Sequence, residues 1–164
     1  PVLVLTSETD IAGGLSYAGA RQPDTDRFRG WEVAGTAHYD AYGLVVGAND
    51  DGSGAVDVAL FDALSDPPSA IYGNIISCDR PFNAGPFTYA ARAAAATLDE
   101  WARTGDAPPE MARIELDAAT DEVVVDDDGI ALGGIRTPRS TCPSRPCPAA
   151  RRRGSRSCTS SCGT

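Results

Sequence analysis

Three observations predict an α/β fold for this chain. Residues 2–5 are an unbroken run of Val and Leu, which reads as a strand buried on both faces, as in a parallel sheet covered by helices. Residues 86–104 place Phe87, Ala90, Ala94, Leu98 and Trp101 at steps of three and four, the spacing of one helix face. A hydrophobic share of 42% over 164 residues fits one domain, or part of one, and is too high for a wholly disordered polymer.

Taken in order, the first strand runs into the polar residues 6–10, and Gly13-Gly14 breaks the pattern. Gln22-Pro23-Asp24 marks a turn, and a second strand is expected over residues 28–34 with Trp31 and Val33, stopping at Gly35. Residues 35–40 then form a loop. From 43 to 85 the pattern is weaker: a polar turn at 49–54, a short helix over 56–64 ended by Pro67-Pro68, and a short apolar segment at 74–78. Cys78 there reads as a small buried residue. The helix over 86–104 has clear ends. Pro86 suits its first position, Gly105 the residue after its last, and Pro108-Pro109 prevents its resumption. Short strands follow at 114–116 and 123–125, with a turn at 126–129 into residues 130–132. Residues 133–138 close the folded part.

Charge divides the chain at the same place. All 23 acidic residues precede residue 139, whereas the last 26 residues hold six of the 14 Arg and no acid. Those 26 also contain Cys142, Cys147, Cys158 and Cys162 with six Ser and three Pro. Their spacing is a poor zinc template, and the composition reads as a disordered tail. An abrupt Arg/Ser/Pro/Cys mixture is also what a shifted reading frame in a GC-rich gene yields, so a frameshift near Pro138 is expected. The formal net charge of −9 disfavours nucleic acid as a partner, since phosphates demand a positive face. No apolar run is long enough for a transmembrane helix.

Several chemistries fail on spacing. A calcium loop with Gly52 at its sixth position has Gly47 first and Val58 last, which supplies no ligand at either end. With Gly129 at that position the ends are Val124 and Ile135. No metal is therefore expected. No cofactor is expected either: GxGxxG and GxxxxGK[ST] are absent, and the chain has no Lys at all. What remains is His38, the single His. It follows a predicted buried strand, where an imidazole with an unperturbed pKa near neutrality can act as general base. Asp10 lies 28 residues earlier, at the end of the other predicted strand. In a parallel pair both would emerge at the C-terminal edge, where sites of open α/β sheets form. Glu8 is an alternative acid, because on an extended strand it projects to the same face as Asp10.

These residues resemble a known family. Residues 1–10 (PVLVLTSETD) are similar to the seventh strand of α/β-hydrolases and the acid-bearing turn after it, and residues 31–38 to the eighth strand and its His loop. Residues 20–29 (ARQPDTDRFR), 31–40 (WEVAGTAHYD) and 133–138 (GGIRTP) together resemble the C-terminal part of the bacterial "alpha/beta hydrolase domain" proteins. The resemblance implies that residues 1–138 are the last strands and packing helix of such a sheet. It makes Asp10 the triad acid, with Glu8 in reserve, and His38 the base. It also implies a small ester-like substrate in the complete parent protein. In that family a serine on a GxSxG-type elbow precedes the acid and base in chain order. This chain has no such elbow, so the nucleophile is expected upstream of Pro1 and the chain alone is expected to be inactive. The competing reading is a non-enzymatic acidic interaction module with a basic tail. It would set His38 far from any carboxylate.

Overall fold

The computed structural model describes residues 1–12, 15–38, 40, 58, 69–71, 76–78, 83 and 86–137. Strands β1 (Val2–Ser7) and β2 (Phe28–Val33) pair in parallel, in a register running from Val2↔Phe28 to Ser7↔Val33. Helix α1 (Glu8–Ala12) and one turn of 3-10 helix (Tyr17–Ala20) lie between them. A third segment continues the sheet beyond β2. Ile135 bridges Val33 in parallel, with its N–H donating to Glu32 O (2.7 Å) and its carbonyl accepting from Ala34 N (3.1 Å).

Burial along β1 departs from expectation. Val2 is 53% exposed, and cover is complete only at Thr6 and Ser7. Among the described residues β1 has β2 on one edge, so the apolar run is enclosed where the sheet meets the loops and not along its whole length. The strand is also longer than expected, ending at Ser7, where the chain turns into a helix.

Helix α2 (Phe87–Thr104) packs against β1. Ala94 and Trp101 of the anticipated stripe are buried, while Asp99, Glu100 and Arg103 are exposed. Pro86 caps the helix from just outside, its carbonyl accepting from Tyr89 N and Ala90 N. Gly105 ends it at φ 83, donating its N–H to Trp101 O (2.9 Å), a left-handed conformation that costs glycine little. The chain leaving α2 returns to β2. Arg29 lies over the Trp101 ring, 5.7 Å from its centroid, and donates to Pro108 O, while the Trp31 indole donates to Pro109 O.

The predicted strands at 114–116 and 123–125, with the segment from 130 to 133 that follows the turn, form a meander held by single antiparallel bridges: Leu116↔Val123, Val125↔Ala131 and Ile114↔Gly133. Two tight turns leave each leg too short for a continuous ladder. The second is the anticipated one: Asp126 Oδ1 accepts from Asp128 N and Ile130 N, and Gly129 has φ 79. Between β2 and α2 the structure adds a small antiparallel pair, β3 (Ser69–Ile71) with β4 (Ile76–Cys78). The sequence pattern missed β3. The polar turn at 49–54, the Cys78 side chain and the tail from 139 lie outside the described residues, as does the helix over 56–64 apart from Val58, which is helical.

The core is the cluster of Ile11, Ala34, Ile114, Ile130 and Ala131, with Tyr17, Ala18, Leu116 and Val123 packed around it. It joins α1, the end of β2 and the meander, at the C-terminal edge of the parallel pair. Beside it lies a buried ionic junction. Glu32 is fully buried; its carboxylate accepts two hydrogen bonds from Arg21 (2.8 and 2.7 Å) and one from Ile114 N (2.7 Å). Arg113, 3.6 Å from Glu32, also pairs with Asp24 at 2.6 Å, and Asp24 accepts from Gly30 N. A charge with no access to water persists only when paired and hydrogen-bonded. Gly133 meets this junction closely: a Cβ there would lie 2.1 Å from Arg113 O. The three sequence blocks singled out above therefore converge, Arg21 from the first, Glu32 from the second and Ile135 from the third.

Candidate active site

At the C-terminal edge the chain leaves β1 by a helical turn whose start is written locally. Ser7-x-x-Asp10 is a capping box: the third residue of α1 reaches back to the N–H of the residue before the helix. Asp10 Oδ2 accepts from Ser7 N (2.7 Å) and from the Ser7 hydroxyl (2.9 Å). With one oxygen held, the carboxylate cannot rotate freely. Its other oxygen, Oδ1, lies 2.8 Å from His38 Nδ1.

His38 arrives from β2. After Val33 the chain turns at Gly35, φ 71, a left-handed geometry that glycine adopts without strain. The turn is tied at successive points. Ala34 N donates to Ile135 O and Gly35 N to Glu8 Oε2, while the Thr36 hydroxyl donates to Val33 O. Asn83 donates to Gly35 O, and His38 N donates to the Thr9 hydroxyl (2.8 Å). Both α1 and the sheet thus hold the loop. The two side chains differ in exposure, Asp10 at 8% and His38 at 45%. The acid is enclosed and the imidazole reaches solvent.

The two candidate acids do not share a face. Residues 8–12 are helical, not extended, so positions two apart point to roughly opposite sides of α1. Asp10 faces His38; Glu8 turns inward with Ile11. Glu8 is 3% exposed, and its Oε2 accepts from Gly35 N (2.7 Å) and Ala131 N (3.1 Å). Burial pushes its carboxyl up to about 6, against the pull of those two N–H groups. The same-face argument for Glu8 is therefore corrected by the capping box that starts the helix. That box was the overlooked signal, a Ser followed three residues later by an acid.

Chemically, a neutral imidazole that gives its Nδ1–H to a carboxylate keeps a lone pair on Nε2 and can take a proton there. A fixed carboxylate also stabilises the imidazolium once it forms. Among the described residues, no group of three His, Cys, Asp or Glu side chains is placed to hold a metal ion, and no helix is long and apolar enough to cross a membrane. The site also lies away from the shallow cleft of about 400 Å³ lined by Arg21, Asp24, Met111 and Arg113.

Comparison with curated proteins and with solved structures gave no match. A family model described as "Alpha/beta hydrolase domain" matches residues 1–164, the whole chain. The chain therefore belongs to the alpha/beta hydrolase domain family.

Proposed function

We propose that Asp10 and His38 are the acid and base of a Ser–acid–His relay that hydrolyses ester-like bonds, carried on the C-terminal part of an α/β-hydrolase sheet. The observation that carries this reading is the 2.8 Å contact between Asp10 Oδ1 and His38 Nδ1, which sit on the segments that follow two adjacent parallel strands. The clamp of Ser7 on the other carboxylate oxygen supports it, because a relay acid works by holding one imidazole tautomer in one orientation.

In the reaction, a serine hydroxyl attacks the ester carbonyl as His38 Nε2 takes its proton. The tetrahedral intermediate collapses, and His38 returns the proton to the leaving alcohol. Water then attacks the acyl-serine, losing its proton to Nε2, and the acyl–oxygen bond breaks as Nε2 returns that proton to the serine oxygen and the acid product leaves. Asp10 remains ionised throughout. On this reading the nucleophile lies upstream of residue 1, which is supported by the chain order Ser before acid before His together with a sequence that contains no GxSxG elbow.

Reading the coding sequence upstream of residue 1 and expressing the complete frame tests the proposal. The expected product hydrolyses a small activated ester such as p-nitrophenyl acetate, and Asp10→Asn lowers kcat by about 10⁴-fold, the scale of a wrongly held tautomer. The 164-residue chain alone is expected to show no turnover. Hydrolysis by that chain alone, abolished in His38→Ala, would remove the upstream nucleophile from the account. A full-frame enzyme indifferent to Asp10→Asn would remove the relay.

A further inference from the structure

We infer that Glu8, two residues before the proposed acid, is a positioning residue: its carboxylate clamps the His38 loop to the meander and so sets where the imidazole stands relative to Asp10. This rests on the relay reading above and adds a second carboxylate to it, one that never touches the imidazole.

The geometry is specific. One oxygen, Oε2, accepts from Gly35 N at 2.7 Å and from Ala131 N at 3.1 Å. Gly35 opens the loop that ends in His38, and Ala131 belongs to the core cluster of the meander. Glu8 and Asp10 both sit on α1, a helix of five residues. A single rigid turn therefore holds the base by its loop with one acid and by its ring with the other. The backbone contact from His38 N to the Thr9 hydroxyl lies between them.

A buried carboxylate is a costly way to join two amides, since burial favours its neutral form. Glu8 shows this cost, its carboxyl standing at about 6. The charged groups acting on it are Asp126, which raises its proton affinity, and Arg136, which lowers it, both from the C-terminal segment. Those two are themselves paired at 2.5 Å, with Arg136 also donating to Ala131 O. On its own helix the other acid is Asp10, committed to Ser7 and His38. The clamp thus consists of one titratable group between two amides, with a nearly neutral ion pair behind it.

Because His38 is the only histidine, its ring nitrogens can be read without ambiguity by ¹⁵N NMR in the 164-residue chain. Glu8→Ala is expected to move the His38 ring nitrogen shifts towards those of Asp10→Asn and to speed amide exchange at Gly35 and Ala131 by tenfold or more. Glu8→Gln, which keeps an acceptor oxygen, is expected to restore both. Unchanged ring shifts in a folded Glu8→Ala protein, or no restoration by Glu8→Gln, would overturn the proposal. Should Glu8→Ala not fold, the unsubstituted chain decides. The Gly35 and Ala131 amide resonances should titrate together with a midpoint near pH 6, and this pH dependence should persist in His38→Asn and be absent in Glu8→Gln. Amides that do not titrate would overturn the clamp. The relay fails separately, if Asp10→Asn leaves the ring nitrogens unmoved while these amides still titrate.

Discussion

Two buried carboxylates on this small sheet, Glu32 and Asp10, show how scaffold and chemistry differ in physical terms. Glu32 is fully buried near the C-terminal end of β2 and is met by a guanidinium and a backbone N–H. Its charge is cancelled by a group that cannot deprotonate, so the cluster has one state. Asp10 is nearly as buried but faces a half-exposed imidazole, a group able to take up and return a proton. The first arrangement welds three stretches of sequence together; the second can pass a proton. Partner type and partner exposure, more than burial of the acid itself, separate the two.

The largest expected effect tests the chemical side of that contrast. Asp10→Asn in the complete frame should cost about 10⁴-fold in kcat, roughly 5 kcal/mol of transition-state stabilisation, while thermal unfolding of the 164-residue chain shifts little. The converse holds for Glu32→Ala. It leaves the half-buried Arg21 guanidinium and the Ile114 N–H without their carboxylate, and breaking such a pair costs up to about 3–5 kcal/mol of stability, to be read from urea unfolding. If Glu32→Ala were as stable as the parent chain, the junction would not be what holds the three blocks together.

A smaller effect concerns pH. The Glu8 carboxyl stands at about 6 in the folded chain against 4.5 for the ordinary group. Between those values the folded state binds a proton that the unfolded state releases. The associated stability is fully present below pH 4.5 and is lost as pH rises through 6, by about 2 kcal/mol. Chemical denaturation at pH 4.5 and 7 should show this slope in the unsubstituted chain, and Glu8→Gln should flatten it. The smallest effect lies on the helix surface. The Asp99–Arg103 pair is 3.0 Å long but well exposed on both sides, so Arg103→Ala should cost no more than about 0.5 kcal/mol. A larger loss would mean that surface charge contributes more here than exposure allows.

The sequence was most legible where one physical signal dominated. Periodic apolar residues and two end signals located α2, because helix ends are set by local backbone geometry at Pro86 and Gly105. The apolar run and the segment around Trp31 marked both strands, the unbroken run pointed to a parallel sheet, and a shared edge for Asp10 and His38 followed from parallel pairing. That contact is present at 2.8 Å, against the alternative of an interaction module with its histidine remote from any acid. Less legible was anything decided by tertiary pairing. Arg21 and Glu32 are 11 residues apart, and nothing periodic links them; only the oddity of an acid inside a buried strand hinted at a partner. The fate of Glu8 turned on whether residues 8–12 were extended or helical, a difference of one capping box. The first two meander legs looked like strands because they are short Ile-, Leu- and Val-bearing runs next to turn residues, yet their turns leave room for only single bridges.

The most direct test of the central claim is the ¹⁵N spectrum of the lone imidazole at pH values above its titration. A neutral ring with the proton on Nδ1 and a free lone pair on Nε2, changing to a mixture of tautomers in Asp10→Asn, is the result this account predicts. A spectrum identical in the two proteins would contradict it.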